Sequence, residues 1–569
     1  MQINLCQIDT KVGDFEGNVA KITDALQKKC ALTEPAKTIS KQIFIFPELT
    51  ICGYPLLDLA NLSQFVDKQY LALQSLLEQT KNADSLIVVG YVERNKDQGK
   101  DLFNSAAVCY KGEIIFNYRK RLLPTYDVFD EARYFEPGKE MGLFQFKGVR
   151  IGIVICEDLW WENDKSLYSV NPMQDIFNAN AEFVISINGS PSVVGKHEEK
   201  IEMVKKISRQ YAMPIIYVNQ VGGNDDIVFD GNSFVTNKRG VIVHTMPAFK
   251  ERIDTIDDNI LSYHVQGVNA EGLLHKPWKS KFQFFTEQAI YGIKSYVEKC
   301  GFKGVCIGES GGIDSALVSA LARDALGSDK VLGITMPSEW SSEGSWKDSE
   351  TLCKNLGIAF HTVPIRAYYE SIIKGFNDVF GSVEKMGIME ENLQARIRGI
   401  ILMAYSNRYG YLVLSTGNKS ELSVGYCTMY GDMCGGLSPI SGMYKMEVFG
   451  ASKYFNEKHG KEMIPQVIID KEPSAELAPG QKDTDSLPPY PILDAILKYF
   501  IEGDLLNHVE KQECIEVVHA NQAAAAKVCS LIKKAEFKRR QAPIGIKMHK
   551  KDFGFGRRIP IAQDWSFKL

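Results

Sequence analysis

The chain has 569 residues, 45% of them hydrophobic and 24% charged, with a formal net charge of −4. That length exceeds one ordinary domain and predicts about two to four of them, in a chain of ordinary globular composition. The small charge and the lack of any basic block exclude a nucleic-acid partner, and no apolar run approaches the roughly 18 residues of a membrane span.

The first residues lack a charged stretch followed by an apolar core, so no signal peptide is expected. The 12 cysteines are scattered without C-x-x-C pairs. This argues against a zinc site or a disulfide framework and for reduced thiols in the cytoplasm.

In chain order, short apolar runs at 43–46, 86–90, 151–156, 183–187 and 215–218 predict buried strands. Helix-length segments such as 196–210 lie between several of them, which predicts a layered α/β sandwich. From about 247 to 278 the pattern becomes irregular, with an acidic cluster at 254–259, and reads as a linker or strap. A helical pattern at 287–299 opens the second half. Predicted strands at 304–308, 331–336, 361–365 and 411–415 then alternate with helical patterns such as 316–322 and 393–407. This spacing predicts a doubly wound parallel sheet with ligands at the C-terminal ends of its strands. The stretch 488–536 reads as largely helical.

Between the predicted strand at 304–308 and the helix that follows lies Ser310-Gly311-Gly312-Ile313-Asp314-Ser315. Such a turn points backbone N–H groups and the positive end of a helix dipole at one place, which favours a phosphate chain. The glycines allow close approach and the serines add donors. A carboxylate beside polyphosphate is repulsive unless a divalent cation lies between them, so Asp314 reads as a Mg²⁺ ligand. The alternative phosphate loop, G-x-x-x-x-G-K-[ST], is absent.

The first half carries three separated candidates: Glu48 after one predicted strand, Lys120 in Tyr118-Arg119-Lys120-Arg121, and Cys156 closing another strand. A carboxylate near a thiol can take its proton, an ammonium can stabilise an oxyanion, and the thiolate can attack an amide carbon.

Ser-Gly-Gly-x-Asp-Ser resembles the pyrophosphate loop of the N-type ATP pyrophosphatases, which adenylate a substrate oxygen and let ammonia displace AMP. Glu48, Lys120 and Cys156, in this order, resemble the base, oxyanion stabiliser and nucleophile of the nitrilase (carbon–nitrogen hydrolase) superfamily. The opening stretch 7–15 with Asn18 is similar to that family's first strand and turn, and Glu131 would be its supporting acid. The two halves together resemble the glutamine-dependent NAD⁺ synthetases. That resemblance implies a nitrilase-like α-β-β-α sandwich at 1–255, a linker at 256–285, and an NAD synthetase domain at 286–569. The last would carry a doubly wound parallel sheet of the ATP pyrophosphatase (adenine nucleotide α hydrolase-like) type.

It also implies L-glutamine, ATP and deamido-NAD⁺ as substrates, Mg²⁺ as cofactor, and a homo-oligomer without nucleic-acid or membrane partners. By the same resemblance, Tyr126 in 122–131, Ser190 in Asn188-Gly189-Ser190-Pro191, and Lys196 would meet glutamine. Gly189 stands where the family more often has alanine. ATP would be met by Gly308, Glu309, Ser310, Gly311, Gly312, Ile313, Asp314, Ser315, Thr416, Lys445 and Ser474. Deamido-NAD⁺ would be met by Asn392, Arg396, Glu421, Tyr426 and Lys538, with Glu421 completing the Mg²⁺ site of Asp314. Ammonia must travel uncharged, and burial disfavours ammonium, so a dry conduit between the two sites is expected.

Overall fold

A computed structural model describes residues 1–30, 42–161, 167–262, 277–381, 387–474, 476–478 and 480–565. The chain divides into two units, Met1–Lys279 and Ser280–Leu569.

In the first unit the strands are, in chain order, β1 (Gln2–Gln7), β2 (Gln42–Ile45), β3 (Ser85–Arg94), β4 (Leu102–Tyr110), β5 (Glu113–Arg119), β6 (Leu143–Phe146), β7 (Val149–Ile155), β8 (Phe183–Asn188), β9 (Ile215–Asn219), β10 (Val221–Asn224), β11 (Ile227–Asp230), β12 (Phe234–Thr236), β13 (Ile242–Thr245) and β14 (Arg252–Asp257). One six-stranded sheet runs β14-β1-β2-β3-β4-β5 and a second runs β13-β12-β9-β8-β7-β6; β10 and β11 form a separate hairpin.

Period-2 alternation explains the layering. Ile43 and Ile45 of β2 pack with Ile153, Ile155, Ile185 and Ile187 of the other sheet, which fills the space between the sheets. Phe44 and Phe46 point the opposite way, onto Val19 and Ile22 of helix Phe15–Cys30 and Leu73 and Leu76 of helix Ser63–Thr80. Across the second sheet, Val154, Val184 and Ile215 pack on Met173, Ile201 and Val204 of two further helices. The result is the expected α-β-β-α sandwich. The helix read at 196–210 is Lys196–Gln210. The acidic stretch read as an irregular strap differs: Arg252–Asp257 is a strand, paired antiparallel with all of β1. Its backbone is satisfied by the sheet edge while most of its side chains stay partly in water, so the sequence shows no apolar run.

The second unit holds a six-stranded sheet of β15 (Gly304–Glu309), β16 (Val331–Thr335), β17 (Ala359–Thr362), β18 (Tyr411–Leu414), β19 (Leu437–Ser438) and β20 (Ile544–Gly545). The order is β17-β16-β15-β18-β19-β20, and every pairing is parallel. The chain winds outward in one direction through β15, β16 and β17, then returns to the other side of β15 with β18. The crevice at this reversal, between the C-terminal ends of β15 and β18, is where such sheets bind ligands. Helix Ile313–Leu326, carrying fully buried Ala316, Leu317, Ala320 and Leu321, follows β15 directly.

Candidate active sites

In the first unit, Glu48 follows β2, Lys120 follows β5 and Cys156 follows β7. The approach of Glu48 depends on Gly90 of β3: a Cβ there would lie 2.1 Å from Leu49 N and 3.0 Å from Glu48 Cα. Leu49 and Cys156 both have left-handed backbone, with φ of 46° and 45°. Strain of this kind in a non-glycine residue persists only where its surroundings fix it. Asp158 does so for Cys156. Its carboxylate accepts from Ile155 N (2.9 Å) and Tyr118 Oη (2.8 Å) on one oxygen, and from Arg121 N (3.1 Å) and Leu122 N (3.0 Å) on the other. This clamps the turn of Cys156 to the segment of Lys120.

Lys120 Nζ donates to Glu48 Oε1 (2.7 Å) and Glu131 Oε1 (2.9 Å), with the lysine side chain fully enclosed. Asn104 Nδ2 also donates to Glu48 Oε1 (2.7 Å) and, more distantly, to Glu131 Oε2 (3.5 Å). Tyr54 Oη donates to Glu131 Oε1 at 2.9 Å, and Gly189 N donates to Glu48 Oε2 at 2.9 Å. A Cβ at Gly189 would stand 3.1 Å from the Tyr54 ring and 3.3 Å from Glu48 Oε2, so alanine there would press on both.

Burial pushes the Cys156 thiol well up, Glu48 adds to this, and Lys120 opposes it. The thiol is therefore neutral at rest and needs a base at the moment of attack. Burial works to lower the Lys120 ammonium, but Glu131 and Glu48 outweigh it and hold it well above the ordinary lysine range. Burial raises the Glu131 carboxyl to about 7, against the pull of Lys120.

Of the expected glutamine contacts, Tyr126 Oη donates to the Glu157 carboxylate (2.9 and 3.0 Å), and Tyr168 Oη donates to it at 2.9 Å. Ser190 is buried, its backbone tied to the Asn219 side chain in both directions. Lys196 places its ammonium 3.8 Å from the centre of the Trp160 ring. The sequence reading missed Asn104, Tyr54, Asp158 and Glu157 as members of this site. Only Glu157 and Asp158 had a signal, being adjacent to Cys156.

In the second unit, Gly311 has φ 74° and lies so close to helix Glu343–Leu356 that a Cβ would come within 2.5 Å of Ser345 O. Inside the loop, Gly312 N donates to Ser310 Oγ (3.2 Å) and Ser315 Oγ to Gly312 O (3.1 Å). Asp314 Oδ1 accepts from Asn418 Nδ2 at 2.9 Å, while Asn418 Oδ1 caps helix Lys419–Val424 by accepting from Glu421 N at 3.0 Å. Lys445 Nζ bridges Asp314 Oδ2 (2.5 Å) and Glu421 Oε1 (3.0 Å). Burial lifts the Glu421 carboxyl to about 8 despite Lys445.

Gly308, Glu309, Ser310, Gly312, Ile313, Asp314, Thr416, Glu421, Tyr426, Lys445 and Ser474 all border one cleft at the β15/β18 reversal. Gly311 and Ser315 complete its loop. Asn392, Arg396 and Lys538 meet around the neighbouring loop instead. Thr428 Oγ1 donates to Asn392 Oδ1 (2.7 Å), Arg396 Nε to Met429 O (3.3 Å), and Lys538 Nζ to Gly425 O and Cys427 O (both 2.8 Å). Arg398, which the sequence reading passed over, also borders the cleft and is held there by Met336 O at 3.1 Å.

Comparison with known proteins agrees with both halves. The carbon–nitrogen hydrolase family profile matches residues 2–263 and the NAD synthase profile matches residues 285–542. The chain is 41% identical to the glutamine-dependent NAD(+) synthetase of Synechocystis sp., covering 99% of this chain and 98% of that one. It is 37% identical to that of Thermotoga maritima over the same shares. The structure of the Acinetobacter baumannii glutamine-dependent NAD⁺ synthetase with adenosine diphosphate is similar across 98% of both chains, with a TM-score of 0.74 and 35% identity. By sequence over its whole length and by the fold of both units, this chain belongs to the glutamine-dependent NAD(+) synthetase family.

Proposed function

We propose the following division of labour for the glutamine-dependent NAD⁺ synthesis that this enzyme carries out. The Cys156 thiol attacks the amide carbon of glutamine while Glu48 takes its proton. Glu48 suits this task because three donors fix it: Lys120, Asn104 and Gly189 N. An ammonium has three N–H donors. Lys120 directs two of them at Glu48 and Glu131, which leaves the third for the oxygen that becomes negative. Ammonia leaves with a proton returned from Glu48, and water then hydrolyses the thioester to glutamate. Tyr126, Ser190 and Lys196 line the glutamine side. Glu157, carried on two tyrosine hydroxyls, is the carboxylate we assign to the substrate's α-ammonium group.

In the second unit, ATP takes the cleft. Its phosphates lie on the 310–315 loop, where the N–H groups and dipole of helix Ile313–Leu326 favour anions; Thr416, Lys445 and Ser474 add contacts. The nicotinate carboxylate of deamido-NAD⁺ attacks the α-phosphorus, pyrophosphate leaves, and ammonia displaces AMP to form the amide. A carboxylate alone would have to expel oxide, which is why adenylation precedes amidation. Asn392, Arg396, Tyr426 and Lys538 hold the dinucleotide side, with the 425–432 loop between them.

Two carboxylates that converge on one ammonium suit a hard divalent cation in its place, so Asp314 and Glu421 would hold Mg²⁺. Bound there, Mg²⁺ supplies positive charge against the phosphates. Lys445 is then free to meet a phosphate oxygen.

We further propose a homo-oligomer in the cytoplasm. The helix Arg366–Phe380 supports the first: none of its 15 residues is buried, and Tyr368, Phe376, Val379 and Phe380 are exposed. The described cysteines are all free thiols, which supports the second. No described helix is long and apolar enough to cross a membrane.

The observation that carries the reading is the enclosed Glu48–Lys120–Glu131 cluster acting on Cys156. Its test is Cys156→Ala. The variant is expected to lose NAD⁺ formation from glutamine and keep it with added ammonium salt. Loss of the ammonium-driven reaction in a folded variant would overturn the division of labour.

A further inference from the structure

Glu309 ends β15 immediately before the phosphate loop and is 3% exposed. Its Oε1 accepts a hydrogen bond from Ser319 Oγ, and Ser315 also faces the carboxyl. Oε2 is enclosed and has no hydrogen-bond partner. Among the described residues no lysine, arginine or histidine acts on it. Gly333 of β16 makes the room: a Cβ there would stand 3.1 Å from Glu309 Cγ and 2.7 Å from Cys353 Sγ. Cys353, from helix Glu343–Leu356, is the titratable group that faces Glu309 from that side, and burial raises its thiol too. Asp314, on the same helix as Ser315 and Ser319, is engaged with Asn418 and Lys445 instead.

Ser315 and Ser319 lie one turn apart at the start of helix Ile313–Leu326. The positive end of that helix is what nucleotide phosphates use. An ionised carboxylate at this place would be buried without a counter-charge and would compete with the phosphates for the same dipole. A neutral carboxylic acid does neither. Burial lifts Glu309 to about 8, which keeps it uncharged at neutral pH. Its neutral form also adds an O–H donor beside the Ser315 hydroxyl, which with Ser310 orders the loop backbone at Gly312.

We propose that Glu309 is a positioning residue for nucleotide binding: as an uncharged acid it braces the phosphate loop from behind, through Ser319 and Ser315, and its ionisation weakens the hold on ATP. This rests on reading 310–315 as the ATP loop. It also departs from the expectation that Glu309 itself touches the nucleotide.

The sign follows from linkage. ATP binds the protonated form, so affinity is full at lower pH and falls as pH rises through the transition, by up to about tenfold per pH unit beyond it. The test is calorimetric titration of the full chain with Mg²⁺ and ATP from about pH 7 to about pH 9, where the terminal phosphate of ATP is already ionised. Other groups of the cleft add their own pH dependence, so the readout is the difference between proteins. Glu309→Gln, which keeps the shape and stays neutral, is expected to lose the part of the alkaline weakening that wild type shows. Ser319→Ala removes the hydroxyl that favours the charged form and is expected to move the transition to higher pH. Equal pH dependence in wild type and Glu309→Gln overturns the proposal. Should Glu309→Gln fail to fold, an unshifted transition in Ser319→Ala does the same. Absence of ATP binding by wild type at every pH overturns the nucleotide reading itself, whereas pH-independent ATP binding by wild type overturns only the role of Glu309.

Discussion

Lys120 and Glu48 meet at 2.7 Å, with side-chain exposures of 0% and 1%. A buried pair of this kind is held by its geometry, and removing one partner leaves an uncompensated charge. Here Glu131 adds a second carboxylate to the same ammonium, so the lysine balances two acids at once.

Lys120→Met should therefore lower glutamine-driven turnover by about 10²-fold or more, since it removes the proposed oxyanion donor. Ammonium-driven NAD⁺ formation should survive. Steady-state assays with the two nitrogen sources check this, and unchanged glutamine turnover would return Lys120 to a packing role.

Asn104 was invisible in the sequence, yet its amide donates to both carboxylates of the site. Asn104→Ala should lower kcat with glutamine by about tenfold or more and change KM less, because it loosens the proposed base, Glu48, rather than the substrate pocket. A pure KM effect would contradict this.

Asp314→Asn should abolish NAD⁺ formation from glutamine and from ammonium alike. It removes charge from the shared site of Lys445 and Glu421 and from the proposed Mg²⁺ shell. The checking measurement is pyrophosphate release over a Mg²⁺ titration. Rescue to wild-type rates at modest Mg²⁺ would show that Asp314 does not hold the metal.

The second unit also carries a buried ionic cluster. Lys419, with no side-chain exposure, pairs with Asp552 (2.6 Å) and Glu502 (3.1 Å). Lys419→Met should destabilise this unit by about 3–5 kcal/mol, because it removes the cation nearest to two buried carboxylates. Breaking the solvent-facing pair Lys205–Glu202 in the same way should cost about 1 kcal/mol or less. Denaturant unfolding of the two variants compares them.

In the same cluster, burial would lower His549, but Glu447 outweighs it and raises the ring above its ordinary 6.5. The stability His549 contributes is complete below that ordinary value and is lost as pH rises through the raised one. Wild type should lose more melting temperature than His549→Gln as pH rises through that window. Parallel curves would contradict the assignment.

Much of this was legible because it is written in local pattern. The period-2 runs of β2, β7 and β8 and the strand–loop–helix around Ser310 fix their elements within a few residues, since burial on both faces demands unbroken apolar stretches. Glu48, Lys120 and Cys156 each stand directly after a strand or a short step beyond one, where a side chain is free to enter a site. Other members left no such trace. Asn104 is one polar residue on β4, and its carboxylate partners Glu48 and Glu131 lie 56 and 27 residues away in the chain. Asp158 acts through backbone amides 36 and 37 residues away in the chain. The strand β14 hid in an acidic stretch because its partner, β1, lies some 250 residues earlier and satisfies its backbone without an apolar signature.

The central claim is that a thiol centre frees nitrogen for use at a nucleotide centre. It is tested most directly by measuring glutamate, AMP, pyrophosphate and NAD⁺ together in one reaction supplied with glutamine, ATP, Mg²⁺ and deamido-NAD⁺. The account predicts that all four accumulate in equal amounts, and that none forms from glutamine once Cys156 is alanine. NAD⁺ and AMP rising without matching glutamate, or glutamate released unabated by the Cys156→Ala protein, would contradict it.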